Sequence, residues 1–352
     1  MNISLQKVAF LDRDGTLIYE PPDTKQIDSL DKLRILPGVI PALQSLQKQG
    51  YKLVMISNQD GLGTASFPKD AFDTVQTKLL CLFLQEGISF ERICICPHAL
   101  SDKCPCRKPQ VGLLGDFLQT VSLDKEFSLV VGDRASDEGF AKNIGVRFFK
   151  MPTNGVFPRI GVTKRVTKET AILIACNLDG QGEFAVTTGL NFFNHMLEQL
   201  SRHSLIDLTI KAQGDLRVDE HHTVEDVGLV LGDVLSRALG ERKGMRRYGF
   251  LLPMDDTLVE VAIDLGGRPY FVFEGSFTRE RVGDLPTELV EHFFRSLSDT
   301  LRATIHITVR RSTNEHHKIE AIFKAFAKSL RMAVEADPRQ TDRLPSTKGT
   351  LL

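Results

Sequence analysis

The chain lacks any block of like charge and any long apolar run, and each absence removes a class of function. A formal net charge of −1 leaves no surplus of lysine and arginine for a polyanion, so no nucleic-acid partner is expected. No segment reaches the roughly 18 apolar residues needed to span a bilayer, and residues 1–6 do not lead from a basic start into an apolar stretch. The expectation is a cytoplasmic protein with no membrane partner. Cysteine is sparse, 6 in 352 residues, and four of them crowd between Cys94 and Cys106 beside a histidine. That crowding suits metal ligation in a reducing compartment better than disulfides. The length favours two domains, and 42% hydrophobic residues supply two cores.

Histidine is also sparse, 9 residues in all, which makes its clustering informative. His221-His222-Thr223-Val224-Glu225 recurs as His316-His317-Lys318-Ile319-Glu320 with the same spacing. On a helix, residues four apart share a face while neighbours diverge by roughly 100°. His221 with Glu225, and His316 with Glu320, can each grip an ion from one helical face. His222 and His317 point about a quarter-turn away and must serve another. Imidazole and carboxylate without thiolate suit Mn²⁺, Fe²⁺ or Zn²⁺ and do not choose among them. One such copy reads equally well as a solvated helix start; two with identical spacing point to a metalloenzyme.

In the N-terminal half, short apolar strands end in polar residues. Val8-Ala9-Phe10-Leu11 runs into Asp12-Arg13-Asp14-Gly15-Thr16, a strand over 52–56 ends at Ser57, and a strand over 128–131 ends in Gly132-Asp133. A further strand is predicted over 92–95, with helices over 38–49 and 67–86. This alternation predicts a doubly wound parallel sheet, with the strand ends converging on one edge. Phosphate monoester hydrolysis needs a nucleophile, a proton donor and charge neutralisation together. Asp12 can attack, Asp14 can serve as acid and base, Asp133 can ligate Mg²⁺, and Ser57 and Lys108 can hold phosphoryl oxygens. Cys96, His98, Cys104 and Cys106 make a closed tetrahedral donor set for Zn²⁺ with a loop-ordering role. Cys81, Cys94 and Cys176 read as partly buried free thiols.

These strand-end motifs resemble the haloacid dehalogenase superfamily over about residues 1–160. The resemblance implies an aspartyl-phosphate on Asp12, with Mg²⁺ held by Asp12, the Asp14 backbone carbonyl and Asp133, and Asp137 nearby. The zinc loop leading into Arg107-Lys108-Pro109 is similar to the histidinol-phosphatase and heptose-bisphosphate phosphatase branch, so histidinol phosphate and a sugar bisphosphate are the alternative substrates.

Prolines and glycines without helical periodicity place the domain boundary in 151–161, giving domains 1–160 and 161–352. Beyond it, a strand over 162–176, a helix over 191–201 with His195, a strand over 206–212 and a helix over 221–239 are followed by the same order again. The second set comprises a strand over 258–265, a helix over 287–302 with His292, a strand over 303–310 and a helix over 315–335. This is a duplicated split β-α-β unit, an α+β domain with two pseudo-equivalent metal sites. Its helices are expected side by side on one face, with their starts pointing outward. His203 and His306 break the duplicate pattern and read as core or surface residues. The basic cluster Arg242, Lys243, Arg246 and Arg247 suits a small phosphate.

The motifs Lys168-Glu169-Thr170, Gly267-Arg268-Pro269, both His-His-x-x-Glu segments and Pro345-Ser346-Thr347-Lys348-Gly349 closely resemble imidazoleglycerol-phosphate dehydratases. With the phosphatase half in front, the chain resembles the bifunctional histidine-biosynthesis enzymes of bacteria. The resemblance implies Mn²⁺ on His195, His221, His222, Glu225, His292, His316, His317 and Glu320. It implies proton transfer by Glu169, and phosphate neutralisation by Arg247, Arg268, Lys324, Ser346 and Lys348. It further implies homo-oligomers through the C-terminal domain, trimers assembled into a larger shell. Three departures stand out: Asn194 where the family has Asp, Gly266 where it has Ser, and Ser312 where it has Gly. The rival reading of this half is a metal-organised scaffold without catalysis.

Overall fold

A computed structural model describes residues 5–340 and 343–351. The chain divides into two compact units, Met1–Pro158 and Arg159–Leu352. Among the described residues no helix is long and apolar enough to cross a membrane.

The N-terminal unit runs β1 (Val8–Leu11), α1 (Val39–Lys48), β2 (Lys52–Asn58), α2 (Lys69–Gln85), β3 (Phe90–Cys96), α3 (Phe117–Thr120), β4 (Leu129–Gly132), α4 (Ala135–Ile144) and β5 (Arg147–Lys150). The strands form one all-parallel sheet in the order β3-β2-β1-β4-β5, as the alternation predicts. β1 is central and buried along its whole length, which is why its four residues are all apolar. Phe10 anchors the core beneath it, edge-on to Phe117 and Phe140.

The C-terminal unit runs β6 (Ile160–Val166), β7 (Thr170–Asn177), β8 (Phe184–Thr187), α5 (Asn191–Ser204), β9 (Asp207–Gly214) and α6 (His221–Leu239). It continues with β10 (Tyr248–Met254), β11 (Thr257–Asp264), β12 (Tyr270–Glu274), a small hairpin of β13 (Arg281–Val282) and β14 (Leu285–Pro286), α7 (Glu288–Leu301), β15 (Thr304–Arg311) and α8 (Glu315–Val334). Two four-stranded sheets result, ordered β6-β7-β9-β8 and β10-β11-β15-β12, each with one parallel pair joined by a helix. The duplication read from the sequence is thus present in the fold.

Two expectations are corrected. The single strand over 162–176 is a hairpin of β6 and β7, because Thr167 Oγ1 accepts the N–H groups of Glu169 and Thr170 at 3.1 and 2.9 Å and turns the chain. The helices also do not lie side by side with only their own half. α6 packs on α7 of the other half, and α5 packs on α8, all within one hydrophobic core. Each half leaves an apolar helix layer uncovered, and the other half covers it. Phe193 of α5 meets Phe293 of α7 edge-on and Phe293 stacks on Phe323 of α8, with ring centroids 5.5 and 5.2 Å apart.

Gly228 and Gly232 make the α6–α7 approach possible: a Cβ on them would stand 2.7 Å from Phe293 O and 2.5 Å from Leu297 O. Gly232→Ala is therefore expected to destabilise the C-terminal unit by about 1–3 kcal/mol. The check is a fall in its urea midpoint, with the N-terminal unit's transition unmoved.

Candidate functional site

In the N-terminal unit the polar residues sit where strands stop. The Asp12 N–H donates to Val131 O at 3.0 Å, so strand pairing carries this carboxylate to the sheet's carboxyl edge. Ser57 lies near the end of β2, Asp133 directly follows β4, and Asp137 lies in the first turn of α4. Asp12, Asp133 and Asp137 each offer an oxygen within 4.8 Å of the others. Burial, together with the Asp12 charge, pushes Asp133 up to about 7. Lys108 partly offsets the repulsion: its buried ammonium donates to Asp12 and to Ile56 O at 2.9 Å, and lies 2.6 Å from Asp137. Burial pulls this ammonium down, but Asp12 and Asp137 outweigh it and leave it raised. Asp133 Oδ1 is buried with no hydrogen-bond partner, an acceptor left over for a cation. An all-oxygen set with surplus negative charge fits Mg²⁺. Gly15, at φ +78°, is required here, since a Cβ would stand 2.6 Å from Asp133 Oδ2.

The Asp14 side chain takes a different set of partners. It accepts from Arg13 Nη1 at 2.6 Å and from Gln59 Nε2, which also donates to Ser57 Oγ at 2.7 Å. Burial raises its carboxyl and Arg13 offsets this only in part, which suits a group that holds a proton. Arg13 is fully buried over Phe72, 4.9 Å from the ring centroid, and bonds Gln76 at 2.9 Å. Sequence reasoning missed Gln59 and Gln76, because a single glutamine carries no spacing signal.

The four zinc-type donors converge. Their sulfur separations are 3.6, 3.4 and 3.2 Å, and His98 Nδ1 lies 3.6 Å from Cys96 and 3.2 Å from Cys106. Bonds of roughly 2.3 Å in a tetrahedron place donors about 3.7 Å apart, so the set fits Zn²⁺. Arg107 fastens this loop to Asp60 and to His98 O at 2.9 Å, next to Lys108. Cys94 and Cys176 are buried, whereas Cys81 is exposed, correcting its expected partial burial; its position on α2 falls on the solvent side.

In the C-terminal unit His221 Nε2 lies 3.5 Å from Glu225 Oε2, and the His292 ring of α7 stands 5.0 Å from the His221 ring. The other half repeats this: His316 Nε2 is 3.5 Å from Glu320 Oε2. Burial raises Glu320, but Lys324, with His316 and His195 adding to it, outweighs burial and holds it low. His292 of the second half thus stands beside the first His-x-x-x-Glu pair, and α5, which carries His195, packs on α8, which carries the second. His222 and His317 face other partners, with Nδ1 3.2 Å from Asp215 and 2.6 Å from Asp256. These hydrogen bonds raise both imidazoles. A carboxylate on Nδ1 leaves Nε2 available to an ion, an arrangement that suits metal-binding histidines. Among the described residues, no three of these eight side chains bring donor atoms within 4.8 Å of one another. Each half-site is open.

Glu169 is exposed in the β6–β7 turn and adds to the upward shift of His222. Asp226 of α6 holds that turn, accepting from Thr170 Oγ1 at 2.5 Å and Arg165 Nε at 2.9 Å. Lys324 Nζ lies 2.8 Å from Glu320. Arg247 pairs with Asp264 and donates to Pro345 O at 2.9 Å, tethering the segment that carries Ser346 and Lys348. Arg268 and Lys348 are exposed, and Ser346 is half-buried. The rest of the basic cluster disperses: Arg242 is buried on Leu265 O and Leu301 O, Lys243 pairs with Glu241, and Arg246 with Glu335. His203 is half-buried and His306 exposed. Asn194 Oδ1 accepts from Thr188 N and Oγ1 at 2.9 and 2.7 Å, so the residue closes a turn before His195.

Residues 188–330 match the family model for imidazoleglycerol-phosphate dehydratase, and residues 7–154 match that for polynucleotide kinase 3 phosphatase. The chain is 49% identical over 359 residues to the histidine biosynthesis bifunctional protein HisB of Stenotrophomonas maltophilia strain R551-3, covering 98% of this chain and 99% of that protein. The chain belongs to the HisB bifunctional family. The HisB protein of Legionella pneumophila strain Lens is 46% identical over 357 residues, covering 99% of this chain and 100% of its own length. A crystal structure of imidazoleglycerol-phosphate dehydratase from Staphylococcus aureus covers 51% of this chain and 99% of its own, at 42% identity and TM-score 0.47. As a HisB-family protein this chain is an enzyme twice over, a phosphoric monoester hydrolase and a carbon–oxygen lyase. That sets aside the non-catalytic scaffold.

Cys104→Ser is expected to abolish divalent metal retention by the Cys/His loop, read by elemental analysis. KM of the phosphatase should rise roughly tenfold while kcat changes by less than about threefold, since Asp12 and Asp14 lie on another strand end. Full zinc retention would count against the site.

Proposed function

We propose that residues 1–160 hydrolyse histidinol phosphate and residues 161–352 dehydrate imidazole glycerol phosphate to imidazole acetol phosphate. Membership of the HisB family over the whole chain favours histidinol phosphate over a sugar bisphosphate for the first half. The observation that carries the phosphatase chemistry is the convergence of Asp12, Asp133 and Asp137 around Lys108, with Asp133 Oδ1 left unpartnered.

Asp12 attacks phosphorus and forms an aspartyl-phosphate, while protonated Asp14 gives its proton to the departing alcohol oxygen. Water then attacks the aspartyl-phosphate, Asp14 takes its proton, and inorganic phosphate leaves. Ser57 and Lys108 hold phosphoryl oxygens. Mg²⁺, on Asp12, Asp133 and the Asp14 backbone carbonyl, would supply charge neutralisation at the phosphoryl group. Asp137 keeps Lys108 aligned on Asp12. Zn²⁺ on Cys96, His98, Cys104 and Cys106 would order the loop beside the substrate.

In the dehydratase half, the half-site of His221, Glu225 and His292 and that of His316, Glu320 and His195 support binding of Mn²⁺. His222 and His317 are presented away from these half-sites and complete those of other subunits, which makes trimers within a larger shell the working assembly. Mn²⁺ would supply Lewis-acid stabilisation of charge on the substrate imidazole. Glu169 moves the proton, and its turn is kept in place by Asp226. Lys324, Arg268, Ser346 and Lys348 neutralise the substrate phosphate, with Arg247 contributing both charge and the tether to Pro345.

Asp12→Asn should lower phosphatase kcat by about 10³-fold or more and leave dehydration unchanged, because an amide does not attack phosphorus. Loss of both activities in a folded protein would sink the two-site reading. Shared metal sites are checked by mixing metal-stripped His221→Ala and His222→Ala chains and restoring Mn²⁺. Each is inactive alone; partial dehydratase activity should return in the mixture. Absence of recovery in well-mixed particles would show that these residues serve one chain only.

A further inference from the structure

One short segment, residues 275–287, reaches the beginning of all four histidine-bearing helices. At α8, the buried Lys318 ammonium donates to Ser276 O at 2.7 Å and to Glu315 at 2.9 Å, while Glu315 accepts from Thr278 N and Oγ1 at 3.0 and 2.7 Å. At α6, Arg281 pairs with Glu220, the residue just before His221. At α5, Asp284 accepts the N–H groups of Asn191 and of Phe192, the latter at 2.9 Å. These are the helix's own unsatisfied first donors, and a carboxylate on them is stabilised by the helix dipole. At α7, Thr287 N donates to Glu280 O at 2.9 Å immediately before the helix opens. Val282 and Leu285 root the segment in the core.

The ties cross between the half-sites. Arg281 and Thr287 fasten the segment to the α6–α7 half-site, whereas Asp284 and the Lys318–Glu315 pair fasten it to the α5–α8 half-site. Arg281 Nη2 also donates to Asp284 O at 3.0 Å, which joins the two sets directly. Phe192, against which Gly283 packs, lies with its ring 5.2 Å from that of His316. None of these residues is a proposed metal ligand. Ligand nitrogens borne on four separate helices lose affinity when the helix starts drift, because metal sites tolerate only about ±0.2 Å in their bonds.

We propose that residues 275–287 are a strap that sets the spacing of the two half-sites, with Asp284 and Arg281 as its positioning residues. This rests on the dehydratase reading of the C-terminal unit. Release of Asp284 frees α5 and with it His195; release of Arg281 frees the start of α6 and with it His221.

The test titrates Mn²⁺ into the full chain, stripped with chelator, by calorimetry. Asp284→Ala is expected to weaken Mn²⁺ binding roughly tenfold, the loss typical of removing a group that orients a metal ligand. Asp284→Asn, which keeps an acceptor for the α5 N–H groups, should recover binding to within about threefold of wild type. A merely structural role would not separate these two variants in metal affinity at equal thermal stability. If Asp284→Ala does not fold, Arg281→Gln decides alone: that side chain is 47% exposed, so its loss leaves the core intact and should still weaken Mn²⁺ binding several-fold. A wild-type chain that takes up no Mn²⁺ overturns the dehydratase reading and the strap with it. A wild type that binds Mn²⁺ beside folded variants that bind it equally well overturns the strap alone.

Discussion

Four helices buried between two sheets hold the C-terminal unit together, and what its histidines can do depends on how those helices cross-pack. Hydrophobic burial is non-directional and does not by itself place an imidazole. Placement comes from small residues and aromatic stacks that leave one way to close the layer. Gly228 and Gly232 let α6 lie against α7, and that contact sets His221 beside His292. On the other side α5, which carries His195, packs on α8, which carries His316 and Glu320. Each helix of one repeat thus finds its packing partner in the opposite repeat.

The N-terminal unit solves a different problem, the gathering of like charges. Three carboxylates within one small volume are disfavoured unless something fixes them from behind. The central, fully apolar strand β1 fixes Asp12, the end of β4 fixes Asp133, and the first turn of α4 fixes Asp137. Lys108 then supplies one positive charge from a loop that the Cys/His cluster and Arg107 hold in register. Lys108 and Arg134, 3.7 Å from Asp133, set two cations against three carboxylates, which leaves a deficit of positive charge. Asp14 pairs instead with Arg13 and Gln59, and burial still leaves its carboxyl raised.

In the C-terminal unit several of the candidate site residues are held in place by other side chains. Asp215 and Asp256 hold Nδ1 of His222 and His317 from a loop and from a hairpin turn that are unrelated by the repeat. Asp226 holds the Glu169 turn, and Asp264 with Pro345 holds Arg247. Exposed catalytic or binding side chains are flexible, and such contacts lower the cost of ordering them at the moment of reaction.

Spacing along the chain determined much of this in advance. Apolar runs ending in carboxylates announced the parallel sheet and the edge where those carboxylates gather, and the repeated His-His-x-x-Glu segments announced a duplicated domain, because both rest on local periodicities of strand and helix. The hairpin at 167–169 was hidden since both of its strands are apolar-rich and its turn depends on one threonine hydroxyl. Exposure of Cys81, dispersal of the Arg242–Arg247 cations onto separate partners, and the aiming of His222 by Asp215 were equally illegible. Only tertiary structure decided which histidine meets which carboxylate. The sequence by itself determined which donors exist and which share a helix face. It did not determine that His292 stands beside His221, or that α5 with His195 packs on α8 with His316 and Glu320, because those encounters follow from how the two repeats cover each other's apolar layers, a property of packing between segments far apart in the chain.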